Sequence, residues 1–575
     1  MKRISYSVFR IRYSVLLVGL LLLSAALVWH DLGAREVLGR DENATITKLD
    51  QPNLKAVFDV TRVKITGQPG NMQPLYFLVQ YLFWPVVGRS AFMLRFLPSL
   101  FGLLAVLLTY KLGEALFNRQ VGLVGALFTA LLPLHIRYAQ IARPYTLLAV
   151  FSVASAYFLV RAVRTNRLVH WAGFVLTAAL SFYTHYNALF VLAAEGLFAG
   201  LAWLATLVAV LRQRQSPDQL VRPVLSFIEV GLLCAPGLIR LFRLPWLGLE
   251  GETEAEVKVF VGLTVPFFRH FLYESGLTAA WLQNLLAGLI ALGLAAALYR
   301  RCWQAALFAF LWLAVPFVTL AAMKSPRPFE ERYVIFVMPV AFLLVGQGVV
   351  AAGNWLAALD RRGKAKALRW AIPLTLSLAM ALILAGRTRA YYANNRSADR
   401  MEQTLAVVER NTRPGDVVVV SPRFFVRPLA VDGAEVLYLT EHPSSDELND
   451  LASRHQRMWI LYTSYLPPAE LQEPLDQWVQ ARPDRFIRIP IKALDALAFG
   501  ITSPIGAEAE LQERIAVLEQ LAQSSAGKNE AWQRHGLLAD DYLALADLYA
   551  RQGEATLAAE YRQKSEETRA AAPPP

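Results

Sequence analysis

The chain has 575 residues, 55% of them hydrophobic and 18% charged, with a formal net charge of +12. Apolar runs recur at about the 20 residues a helix needs to cross a bilayer, which excludes a soluble enzyme and points to a polytopic membrane protein. The positive charge, which in a soluble protein would suggest nucleic acid, is accounted for here by basic loops between membrane segments.

The start, MKRISYSVFRIRYS, is basic and runs into VLLVGLLLLSAALVW. No small-residue cleavage pattern follows in HDLGARE, so the run reads as an uncleaved first span. Just beyond it lies LGRDENATITKL, with Arg40, Asp41 and Glu42 adjacent. Two readings stand side by side. The acids could be a charged interfacial turn that caps a short helix through NATITKL. They could instead sit at the mouth of a membrane cavity, where a carboxylate takes the proton of an incoming hydroxyl or amine, or holds a divalent ion.

Segment 74–86, PLYFLVQYLFWPV, is apolar but short and contains Pro85. It reads as an interfacial or re-entrant helix. About eleven spans are expected, at roughly 14–30, 91–112, 119–136, 145–161, 168–184, 187–210, 223–242, 280–299, 303–322, 332–352 and 369–387. Cys234 lies inside one of these runs and Cys302 beside Arg300 and Arg301, so neither has the spacing of a metal site and no disulfide is expected.

Three turns hold unusual polar residues. LLPLHIRYAQIARPYTLL carries His135, Arg137, Tyr138, Gln140, Arg143 and Tyr145. One snorkelling arginine is ordinary, but two with a histidine and two tyrosines make an anion site, since the guanidinium fork suits phosphate oxygens. SFYTHYNALF carries Tyr183, His185 and Tyr186; an aromatic belt explains the tyrosines but not the histidine. KSPRPFEERYVIFVMP carries Lys324, Arg327, Glu330, Glu331, Arg332 and Tyr333, which read either as a salt-bridged loop or as a phosphate contact.

With the N-terminus in the cytoplasm, the inner loops hold Arg10 and Arg12; Arg119; Arg161, Arg164 and Arg167; Arg212, Arg214 and Arg222; Arg300 and Arg301; and Arg361 to Arg369. All three polar turns, and Asp41 with Glu42, then fall on the outer side, as does the tail. The expected location is the cytoplasmic (inner) membrane, multi-pass, with the C-terminal region extracytoplasmic.

The tail has soluble composition. MEQTLAVVERN reads as an amphipathic helix, RPGDVVVVSP as a turn and strand, and RMWILYT and RFIRIPI as further strands, with helical SSDELNDLASRH between. YLALADLYARQGEATLAAEYRQ places Ala546, Tyr549, Gly553 and Ala558 at tetratricopeptide-like spacing, or forms a plain helical hairpin. The domains expected are 1–390 in the membrane, 391–505 as an extracytoplasmic α/β domain, and 506–575 as helices ending in a frayed AAAPPP.

From about residue 10 to 390 the chain resembles the GT-C superfamily of polyprenyl-phosphate-sugar-dependent glycosyltransferases, in particular the family 39-like bacterial members. Protein O-mannosyltransferases and the aminoarabinose lipid A transferase are related. The resemblance is carried by Asp41-Glu42, QPLYFLVQYLF, GRSAFMLRFLPSLFGLLAVLLTYKLGEALF, LPLHIRYAQIARPYTLL, FYTHYNALFVL and ERYVIFVMPV, in that order. It implies a helical membrane bundle and a donor sugar on a polyprenyl phosphate such as undecaprenyl phosphate. Transfer would be inverting, to an extracytoplasmic lipid, glycan or protein. It implies Asp41 as catalytic base, with Glu42 supporting it or sharing a divalent ion; no other cofactor is expected. Arg143 with Tyr145, His185 with Tyr186, and Arg332 with Tyr333 would bind donor phosphate and sugar, with Arg137 and Lys324 as further anion contacts. Many relatives have a histidine before a Pro-Pro-Leu-Tyr stretch; here it reads Asn71-Met72-Gln73-Pro74-Leu75-Tyr76.

A transporter or flippase of a lipid-linked or anionic substrate is the alternative, but no inverted repeat is evident and the polar residues lie at helix ends instead of the midplane. A membrane scaffold working through its helical tail would leave the clustering at the outer turns without a reason.

Overall fold

The structure is a computed structural model. It describes residues 2–33, 40–61, 72–87, 90–212, 218–243, 272–273, 275–322, 331–359, 368–396, 400–421, 429–439, 443–462, 475, 477–482, 485–491, 495–502, 505–523 and 528–572. The chain forms two compact units. One comprises Met1–Ala34, Thr45–Val63 and Pro69–Tyr392, the other Arg35–Ala44, Lys64–Gln68 and Ala393–Pro575.

The first unit is helical: α1 (Lys2–Trp29), α2 (Arg40–Leu49, whose first residues count with the other unit), α3 (Leu54–Thr61), α4 (Leu75–Val87), α5 (Ala91–Leu116), α6 (Arg119–Leu131), α7 (Pro133–Ala139), α8 (Tyr145–Thr165), α9 (Leu168–Thr184), α10 (Ala188–Leu211), α11 (Asp218–Arg243), α12 (Ala280–Tyr299), α13 (Trp303–Ala322), a short 3-10 helix (Glu331–Val334), α14 (Val337–Leu359) and α15 (Leu368–Arg396). Among the described residues, eight helices are long and apolar enough to cross a membrane, or nine if α6 and α7 count as one bent span. Tyr13–Trp29 and Leu168–Thr184 are shorter apolar helices. Each span expected from the sequence falls on one of these.

The run expected as a straight span over 119–136 is instead broken: α6 and α7 meet at 65°. Pro133 opens α7, and a proline in mid-run has no N–H to give and clashes with the carbonyl of the preceding turn. The bend turns α7 across the bundle, so that its loop delivers Arg143 to the start of α8.

Two helices, α8 and α14, are the most enclosed of the set. Leu148, Val153, Ala156 and Leu159 of α8 and Val340, Leu343, Leu344 and Val345 of α14 lie in one continuous core. Helix α14 is seated by glycine. A Cβ at Gly293 of α12 would stand 2.1 Å from the Leu344 carbonyl oxygen, and one at Gly348 of α14 would stand 2.3 Å from that of Leu289. Without water to drive association, such small residues let two backbones gain dispersion contact. The candidate site residues at or just before the N-terminal ends of α8 and α14 therefore adjoin the most enclosed helices of the unit.

The second unit holds α16 (Arg400–Asn411), β1 (Val417–Ser421), β2 (Glu435–Tyr438), α17 (Ser445–Arg454), β3 (Arg457–Tyr462), β4 (Phe486–Ile491), β5 (Asp495–Ile501), α18 (Ala507–Gln523), α19 (Lys528–Gln552) and α20 (Ala555–Ala571). The sheet order is β2-β1-β3-β5-β4, with β1, β2 and β3 parallel and β5 antiparallel to β3 and β4. Helix α17 starts in a capping box between Ser444 and Glu447. Strand β5 escapes a sequence reading because DALAFGI is rich in weak strand formers; Gly500 is needed there, since a Cβ would stand 2.2 Å from the Phe486 ring. Leu405, Val418, Trp459 and Phe499 share one cluster with Leu518, Tyr542 and Tyr549 of the terminal helices.

Candidate functional site

The site is built around one ring. Tyr145 begins α8, only 3% exposed, directly after a tight turn in which Arg143 N–H donates to the Ile141 carbonyl at 2.8 Å. Pro144 sets the first residue of that helix, as proline does at little cost where no intrahelical donor is needed. Arg143, 7% exposed, has its guanidinium carbon 5.9 Å from the Tyr145 ring centre. Arg332, from the 3-10 helix ahead of α14, approaches the same ring at 5.7 Å. The His185 ring stands 5.8 Å from it and Tyr138 meets it edge-on at 5.1 Å. Three sequence turns thus converge on Tyr145.

Asn187 ties two of them together. Its side-chain amide donates to the Tyr333 carbonyl at 3.0 Å, and its backbone N–H donates to His185 Nδ1 at 3.1 Å. With Nδ1 accepting, the neutral imidazole carries its proton on Nε2. Burial first, then the charges of Arg143 and Arg332, pull the His185 pKa down from 6.5 to about 4. His185 is therefore an uncharged donor near neutral pH and adds no third cation to the cluster.

The part of helix α2 from Thr45 onward packs beside the Arg143 turn. Thr45 Oγ1 donates to the Ala142 carbonyl at 2.9 Å, which fixes the helix next to the Arg143 turn. One turn later, Lys48 is 5% exposed, with Nζ 5.8 Å from the Phe77 ring centre of α4. Burial, and after it the charge of Arg143, lower the Lys48 amine to about 8. Glu42 is buried on α2. The backbone of Asp41 lies in α2 as well, while its side chain is outside the described residues.

The remaining expected residues are placed as follows. Tyr186 is half-buried with its ring 5.7 Å from Phe182, and Tyr333 is half-buried with the Arg332 guanidinium 5.9 Å from its ring. Arg137 is exposed and lies over the Tyr138 ring at 5.4 Å, on the outer side of the aromatic group. His135 is buried against α5, with Nε2 facing Gly102. Lys324 lies outside the described residues. Among the described residues, no three His, Cys, Asp or Glu side chains stand together as a metal site.

Sequence reading missed Asn187 and Lys48. A lysine in a polar stretch such as NATITKL ordinarily reads as solvated. The available signal was its spacing, seven residues after Asp41 and three after Thr45, on one helical face.

Chemically, two arginines gathered at one aromatic ring, next to a neutral histidine donor and with a buried lysine on the neighbouring helix, are groups able to receive a compact anion. The guanidinium–ring distances fall within the ~6 Å range of cation–π attraction, so the ring holds the like charges together.

Residues 68–226 match the family described as dolichyl-phosphate-mannose-protein mannosyltransferase. No curated protein matches. Among solved structures, the chain is similar to ArnT from Cupriavidus metallidurans in the apo state, with a TM-score of 0.52 at 14% identity, covering 84% of this chain and 98% of that one. The same protein bound to undecaprenyl phosphate matches with a TM-score of 0.51 at 14% identity, over the same shares of each chain. The Archaeoglobus fulgidus oligosaccharyltransferase in the apo form matches at a TM-score of 0.48 and 13% identity, covering 78% of this chain and 69% of that one. The membrane unit has the GT-C fold.

Proposed function

We propose that this GT-C-fold protein is a membrane glycosyltransferase that moves a sugar from a polyprenyl-phosphate carrier to an acceptor outside the cytoplasmic membrane. The observation that carries the reading is the convergence of Arg143 and Arg332 on the Tyr145 ring. The mannosyltransferase family match over residues 68–226 supports a donor of this class, and the similar ArnT structure holds undecaprenyl phosphate. The bias of basic residues toward one set of loops supports an outward-facing site and an outward tail.

In this reading the carrier phosphate lies against Arg143 and Arg332, which pair with its oxygens in fork geometry. His185 Nε2–H donates to a sugar or phosphate oxygen without competing for charge. Asp41 takes the acceptor proton as the acceptor attacks the anomeric carbon from the face opposite the phosphate, which inverts that carbon. Glu42 holds the acidic turn in place beside it. Any divalent ion would be held by Asp41 and Glu42. The second unit serves as a platform for acceptor or partner.

The test uses the full-length protein in lipid vesicles with radiolabelled undecaprenyl-phosphate sugars. Native protein should remove label from one carrier, and Asp41→Asn and Arg143→Gln should not. Equal turnover by native and Asp41→Asn would remove Asp41 as the base. Failure of native protein with every carrier would overturn the reading.

A further inference from the structure

Helix α11 is apolar enough to cross the membrane over Gln219–Leu241, and Glu229 stands close to the middle of that span. One face of α11 is committed to the bundle. Ser226, Val230, Cys234 and Gly237 are buried, and the Phe227 ring lies 5.1 Å from that of Phe174 on α9. The Tyr183 hydroxyl of α9 donates to the Leu233 carbonyl at 2.7 Å. Another face is bare. Leu225, Glu229, Leu232, Pro236 and Ile239 are all exposed, and their spacing of four, three, four and three residues sets them in one stripe. A carboxyl turned toward hydrocarbon is costly until something covers it. Among the described residues, none hydrogen-bonds to Glu229 or pairs with it. The other mid-span carboxyl, Glu195 of α10, is buried and accepts from Ser155 Oγ at 3.0 Å. The fold covers one acid and leaves the other on its outer surface.

We propose that α11 is the contact between two copies of this chain, with the Glu229 carboxyls of the two copies meeting at a twofold axis. Two observations choose a second copy over another occupant. The exposed stripe has the alternating spacing that lets two helices interlock, and a single polar residue in such a seam fixes register and the number of strands. The chain also offers nothing else to meet this acid. Among the described residues of the spanning helices, no other charged side chain is both exposed and at mid-span, so a head-to-tail contact between copies would leave Glu229 uncovered. A twofold contact covers it, because a carboxylic acid is its own complement: the O–H of each donates to the carbonyl oxygen of the other. Two copies inserted the same way share an axis along the membrane normal, which brings equivalent residues of the two α11 helices to the same depth. Such hydrogen bonds, with close packing around them, associate helices where water supplies no driving force.

The experiment mixes two pools of full-length protein, one with a donor dye and one with an acceptor dye at the C-terminus, in phosphatidylcholine vesicles. Energy transfer is followed as added lipid dilutes the protein. Native protein should show transfer that fades with dilution. Glu229→Leu should need about tenfold more protein per lipid for the same transfer, while Glu229→Gln, whose amide also donates and accepts, should stay within about threefold of native. Disulfide trapping locates the contact in a chain with Cys234→Ala and Cys302→Ala. Leu225→Cys and Leu232→Cys should cross-link two copies under mild oxidation, and Leu374→Cys on the exposed side of α15 should not. Thermal unfolding of Glu229→Leu at the greatest dilution should match native, which separates lost pairing from lost folding. Native protein without energy transfer at any dilution would overturn the proposal and leave this face to a different protein or to lipid. Transfer by Glu229→Leu equal to native, or cross-linking at Leu374→Cys in place of the α11 positions, would overturn it as well.

Discussion

Arg332 and Tyr145 come from distant parts of the chain, and the guanidinium carbon of the first lies 5.7 Å from the ring centre of the second. Arg143 reaches the same ring at 5.9 Å. A ring shared by two cations does two jobs: it attracts each, and it fixes the spacing at which both meet an anion. Each contact contributes about 0.5–2 kcal/mol, depending on how dry the site is. Tyr145→Phe keeps the ring and should leave carrier turnover within about threefold of native, while Tyr145→Leu should cost about tenfold or more. Steady-state turnover of labelled carrier separates the two. Equal loss in both would show that the hydroxyl, not the ring face, is what matters.

His185 gives a prediction with a definite sign. Its folded pKa is depressed to about 4 from 6.5. Above 6.5 both folded and unfolded chains hold it neutral. Between 6.5 and about 4 the unfolded chain binds a proton that the folded one refuses, so its contribution to stability is lost as pH falls through that window. Thermal unfolding in detergent micelles should therefore drop with acid more steeply for native protein than for His185→Gln. Parallel acid dependence in the two would remove His185 from this role.

The seat of α14 can be tested apart from any chemistry. A Cβ at Gly293 would need the space of the Leu344 carbonyl oxygen, which backbone cannot yield. Overpacking of this kind costs about 1–3 kcal/mol or more. Gly293→Val should lower the unfolding temperature clearly. It should also weaken undecaprenyl phosphate binding, because α14 is continuous with the turn that presents Arg332. Substitution at Gly288 of the same helix, where a Cβ meets nothing within 4 Å, is the control and should change neither.

Much of the membrane unit could be read from apolar runs, since a span declares itself by length alone. The bend before α7 could not, although Pro133 was visible, because proline also sits inside unbroken helices here, as at Pro98 of α5. The site was legible in pieces. The residues of the ARPY, HY and RY turns stood out as polar groups where apolar ones are expected. Their meeting on one ring depends on how α8, α9 and α14 pack, which no local spacing encodes. Asn187 and Lys48 lacked even that signal. An asparagine in a turn and a lysine in a polar helix are ordinary until the fold buries one and gives the other a carbonyl from a distant segment.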